Sequence, residues 1–84
     1  TPFYHDIEKE SNSMQRFGEK LRALREQRGI SMRELARELG FASHAHISRI
    51  EADRKKPTLE FVLAVAQFFK VSFDQLMNDE LELE

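Results

Sequence analysis

The stretch Arg28–Gly40, "RGISMRELARELG", decides how this chain folds. Gly29 can end one helix in a left-handed turn, and Ser31 with Glu34 three residues on makes a capping box that starts the next. Gly40 ends that second helix in turn, and between the caps Leu35, Ala36 and Leu39 form one apolar stripe. The second helix is therefore short, follows the first after a tight turn, and lays a single face on a core.

Working outward, Phe17, Leu21 and Leu24 fall at i, i+4 and i+7 and carry the first helix back toward Ser13, a candidate cap. Downstream, Ser43 can cap a third helix with Ile47 and Ile50 turned inward, ending near Ala52 and Asp53. Pro57 and Thr58 open "LEFVLAVAQFF", which is apolar nearly all round and is expected to be the buried central helix. Ser72 with Gln75 is a second capping box, starting a last short helix through Phe73, Leu76 and Met77. Sustained strand alternation, internal repeats and glycine-rich loops are all absent from the sequence. The expected fold is all-α, a five-helix domain over residues 14–78, between a polar arm (1–13) and an acidic tail (79–84).

Composition bounds the function. Eighty-four residues at 40% hydrophobic suit one small domain with a thin core. Without cysteine there is no disulfide staple or thiolate chemistry. No apolar run approaches the ~20 residues of a membrane span, and the opening "TPFYHDIEKESNS" is unlike a signal peptide. A soluble, cytoplasmic protein with no membrane association is expected. The net charge of −2 hides a strong asymmetry: from Gln15 to Lys70 twelve cations face seven acids, while the acids gather at the two ends. A basic body favours a polyanionic partner despite the acidic total, because local potential steers ligands.

Taken together, "LRALREQRGISMRELARELG" and "HISRIEADRKKPTLEFVLAVAQFFKVSFDQLM" resemble the Cro/repressor-type (Xre-like) helix-turn-helix family of bacteria and phages, over roughly Phe17 to Met77. The resemblance implies a lambda-repressor-like domain whose second and third helices form the motif, the third entering the DNA major groove. It also implies that Glu51, an inward-facing carboxylate that would be costly alone, pairs with Arg25 at the end of the first helix. Three positions depart from the family pattern: the turn after Gly40 is one residue longer, Met32 stands where glutamine is common, and Asp53 where glycine often stands.

The third helix has the chemistry for reading bases. With Ile47 inward and about 100° per residue, Ala45 and Arg49 point away from the core, Ser48 flanks them, and His44 lies at the helix tip. Arginine can donate two parallel bonds to guanine, serine can bond either way, and histidine can donate to a purine N7. His44, Ala45, Ser48 and Arg49 are thus the expected base-reading set. Ser31 and Ser43, at the starts of helices two and three, place backbone amides for phosphate; Arg33 can add to them, and Arg54, Lys55 and Lys56 supply counterion release. His44 and His46 lie about 200° apart on a helix, with no partner ligands nearby, so no metal site is expected. No cofactor and no enzymatic activity are implied.

The expected function is a sequence-specific double-stranded-DNA-binding transcription regulator, acting as a repressor or autoregulator. The alternative is an antitoxin or adaptor-type helix-turn-helix module that binds a protein partner through its acidic tail. One reading helix spans too few base pairs for a unique site, so a homodimer is expected. Phe69, Val71, Phe73, Leu76 and Met77 are its expected interface.

Overall fold

Capping chemistry sets the helix bounds. A computed structural model describes residues 16–40 and 43–83, which form five helices: α1 Phe17–Arg28, α2 Met32–Leu39, α3 His44–Glu51, α4 Leu59–Phe69 and α5 Phe73–Met77. The Glu34 amide donates to Ser31 Oγ at 3.0 Å and the Ser31 amide to Glu34 Oε1 at 3.1 Å, closing the first capping box. Ser72 and Gln75 repeat it at 3.1 and 3.0 Å. Thr58 Oγ1 accepts from the Phe61 amide at 3.1 Å, so α4 begins where its sequence changes character. Gly29 and Gly40 sit at φ 72° and 82°, the left-handed stops that their positions called for.

The start of α1 is built differently from the expectation. The proposed cap Ser13 and the arm 1–13 lie outside the described residues. Arg16 occupies the N-cap position and has no side-chain cap of its own; its amide is taken instead by Asp79 Oδ1 at 2.9 Å.

The core draws on every helix: Phe17, Leu21 and Leu24 from α1, Leu35 and Ala36 from α2, Ile47 and Ile50 from α3, Phe61, Val62, Val65, Ala66 and Phe69 from α4, and Leu76 from α5. The Phe17 and Phe61 rings meet edge to face at 6.1 Å, joining α1 to α4. Two expectations are corrected here. The helix α4 is not covered all round, since Leu59 and Leu63 are 62% and 43% exposed on one stripe. Phe69 and Leu76 belong to the core of the single chain, because α5 folds back and covers the end of α4. They are therefore not free to form a dimer face; of that set Val71, Phe73 and Met77 remain half-buried at the core's edge.

The tightest backbone approach is at Gly18. A Cβ built there would lie 2.3 Å from the Ile50 carbonyl oxygen and 2.9 Å from that of Glu51. Only a residue without a side chain lets the first turn of α1 rest against the end of α3. Glycine inside a helix is unfavourable by about 1 kcal/mol relative to alanine, so propensity alone makes Gly18→Ala a stabilising change. The crossing predicts the reverse, a net loss of roughly 1–3 kcal/mol, because a backbone carbonyl must move. Urea denaturation decides: a midpoint equal to or above the parent's would refute the crossing.

Candidate nucleic-acid interface

The motif is the pair α2 and α3. Ser43, in extended backbone, accepts from the Ala45 amide at 3.1 Å and starts α3. Ile47 and Ile50 are fully buried beneath it. His44, Ser48 and Arg49 are exposed and Ala45 is half-exposed. His44 with Ser48, and Ala45 with Arg49, are i, i+4 neighbours, so these four side chains form one outward stripe. His46 turns the other way, with its ring edge to face against Phe61 at 5.4 Å. Burial, then the fields of Lys55 and Arg49, hold its pKa below the ordinary histidine value. It belongs to the packing between α3 and α4.

The basic turn is locked to α3. Asp53 adopts φ 61°, a left-handed conformation that Asp tolerates better than most residues. Its amide bonds the Ile50 carbonyl at 3.1 Å and the Arg54 amide bonds the Arg49 carbonyl at 2.8 Å. The chain doubles back at once, and Arg54, Lys55 and Lys56 emerge exposed beside the last turn of α3. At the start of α2, Ser31 and Arg33 are likewise exposed. Arg37 sits one turn beyond Arg33, also exposed; its i, i+4 spacing was visible in the sequence but was not drawn into the expected site.

Cations divide by direction. Among the described residues the ion pairs engage Arg16, Arg22 and Arg25, and none engages Arg33, Arg37, Arg49, Arg54, Lys55 or Lys56. The outward set thus keeps its charge uncompensated around the α3 stripe. No cluster of three or more His, Cys, Asp or Glu suited to a metal occurs among the described residues.

Beneath the stripe lies an ion pair. Arg25 Nε donates to Glu51 Oε2 at 2.7 Å and its Nη2 to Oε1 at 3.1 Å, a two-point fork. The third donor, Nη1, reaches the Ile30 carbonyl in the α1–α2 turn at 3.1 Å. The Glu51 side chain is 3% exposed and that of Arg25 13%. The hydrogen bonds to Glu51 raise the Arg25 pKa further, so the guanidinium keeps its charge. One guanidinium thereby ties the end of α3 to the end of α1 and to the turn leading into α2.

The helix-turn-helix family matches residues 21–76, most of the chain. The chain belongs to that family, in its Cro/repressor (Xre) branch. Among curated proteins, the HTH-type transcriptional activator BcrR of Enterococcus faecalis is 33% identical over 64 residues. That match takes in 76% of this chain and 31% of the relative, so the chain spans about a third of the relative's length. No solved structure matches it. Among the described residues no helix is long and apolar enough to cross a membrane.

Removing Arg25 would strand a buried carboxylate. Arg25→Ala should cost roughly 3–5 kcal/mol, and Arg25→Lys should recover only part, since one ammonium cannot reproduce the fork. Denaturant titration checks both; Arg25→Ala unfolding at the parent's midpoint would contradict the assignment.

Proposed function

We propose that this chain is the sequence-specific double-stranded-DNA-binding unit of a transcription regulator, with α3 reading the major groove. The observation that carries this reading is the division of charge and chemistry about α3. Its inner face is fixed by Ile47, Ile50 and Glu51, while its outer face presents His44, Ser48 and Arg49 within a border of uncompensated cations. In this reading His44, Ala45, Ser48 and Arg49 face base edges. Ser31, Arg33, Ser43, Arg54, Lys55 and Lys56 meet phosphates, and Arg37 is a further phosphate candidate. The relative's name, a transcriptional activator, supports regulation of transcription. Occlusion of a promoter is the simplest action in this reading, since repression or autoregulation needs only binding, whereas activation needs an additional contact with the transcription machinery.

The unit works as a homodimer, because a single α3 covers too few base pairs to specify a site. Val71, Phe73 and Met77 at the core's edge, and the exposed Leu59, Leu63 and Leu81, are among the apolar side chains available for that contact. No reaction, metal or cofactor enters this proposal, and its place of action is the bacterial cytoplasm, where the DNA is. The competing reading, a protein-interaction module working through the acidic tail, is weakened by Asp79 and Glu82, which already engage Arg16.

Selection of random duplexes followed by salt titration tests the proposal. Lys55→Ala with Lys56→Ala should weaken binding to all duplexes alike and flatten the salt slope by about one unit per lost phosphate contact. Arg49→Ala should cost roughly 1–3 kcal/mol chiefly on the selected site, which should be an inverted repeat with half-sites about 10 bp apart. An unchanged ratio of specific to random affinity in Arg49→Ala would remove α3 from the reading role.

A further inference from the structure

Three sets of contacts converge on the first turn of α1. Asp79 Oδ1 accepts from the Arg16 amide, 63 residues away in the chain, at 2.9 Å. The Arg16 guanidinium donates back to the Asp79 carbonyl at 2.7 Å and to both carboxylate oxygens of Glu82 at 2.9 Å. One turn further on, Lys20 is only 2% exposed, and its Nζ donates to the carbonyls of Gln75 and Asn78 at the end of α5. A carboxylate thus sits on the positive end of α1 and an ammonium on the negative end of α5, so each helix is capped by a residue belonging to the other's neighbourhood. Between Arg16 and Lys20 lies Gly18, the residue against which the carbonyls of Ile50 and Glu51 rest.

We propose that Asp79, acting with Arg16 and Lys20, is a positioning residue for DNA reading: by capping α1 it fixes the turn on which the end of α3 is seated. The proposal rests on the DNA-reading role given to α3 above. The physical route is short. Only eight residues long, α3 is held at its C-terminal end by two supports, the Gly18 crossing and the Arg25–Glu51 fork. Gly18 and Arg25 are i and i+7 along α1, about two helical turns apart. Fraying of the first turn slackens the Gly18 support and leaves the fork intact, so α3 pivots about Glu51 and does not detach. A pivot changes the register of His44, Ser48 and Arg49 on base edges, whereas mobile cations still find phosphates. The Arg16–Glu82 pair is exposed and contributes little by itself; the directional cap from Asp79 is the element that matters.

The test compares Asp79→Ala with Asp79→Asn, whose amide oxygen can still accept from the Arg16 amide, in the full chain well below its melting temperature. Asp79→Ala should lower the ratio of specific to random duplex affinity about three- to tenfold, with random-duplex affinity unchanged. In the same variant, amide exchange should accelerate at Ala52, Asp53 and Arg54, which bond the last turn of α3, and stay unchanged at Val62 and Val65 in α4. Asp79→Asn should restore both. Faster exchange confined to residues 16–20, or a parallel loss of both affinities with faster exchange throughout, would overturn the proposal and leave Asp79 a purely structural cap. If the parent chain discriminates among no duplexes, the DNA-reading role falls, and the exchange pattern by itself decides whether Asp79 seats α3.

Discussion

The structure depends on where α1 crosses the end of α3. At Gly18 the two backbones meet with no room for a side chain, and at Arg25 a two-point fork holds Glu51 out of water. The two supports differ in kind. The first is steric and sets how closely the helices approach; the second is electrostatic and directional, and sets how α3 is rotated about its axis. The neighbouring α2 also packs along α3, and Ile47 and Ile50 supply burial; the two supports add closeness and direction at its C-terminal end. Once α3 is fixed, the left-handed turn at Asp53 fixes the basic segment beside it.

The same crossing explains how an acidic protein presents a cationic face. Cations of α1 are directed inward or to partners within the chain: Arg25 to Glu51, Lys20 to the carbonyls ending α5, Arg16 to Asp79 and Glu82. Burial, with Arg16 nearby, draws the Lys20 pKa below the ordinary lysine value, so holding that ammonium costs free energy that its carbonyl acceptors offset. Arg28 lies over the Phe68 and Phe69 rings at 5.0 and 5.1 Å, another cation used for packing. On α2, α3 and the turn after α3, the outward cations Arg33, Arg37, Arg49, Arg54, Lys55 and Lys56 carry potential to solvent around the α3 stripe. Of the tail acids, Glu82 pairs with the Arg16 guanidinium and the Asp79 carboxylate accepts from the Arg16 amide, so both are engaged within the chain.

Local signals in the sequence were sufficient for the helices. Capping boxes at Ser31 and Ser72, stops at Gly29 and Gly40, and the apolar spacing of α1 all depend on residues within one or two turns, and such signals survive folding. The outward stripe of α3 was legible for the same reason, because Ile47 and Ile50 fix its direction. Long-range contacts left less trace: the Arg25–Glu51 pair was implied only through the family resemblance, and others not at all. Asp79 caps α1 from the far end of the chain, and Lys20 reads as an ordinary surface lysine until α5 is placed over it. The apolar residues of α5 were expected at an interface because their partner surface, the end of α4, is defined only in three dimensions. Gly18 alone carried a readable hint, an unfavourable residue inside a helix with no turn to justify it.

Titration of the isotopically labelled chain with its selected duplex, followed residue by residue in amide spectra, tests most directly the claim that α3 is a rigidly seated reading helix. Shifts should concentrate at His44, Ala45, Ser48 and Arg49, with a second group at Ser31–Arg33 and Arg54–Lys56, while Gly18, Lys20 and Asp79 stay near their free positions. Dominant shifts on the Leu59 and Leu63 face or at Asp79–Glu82, with α3 silent, would contradict the account.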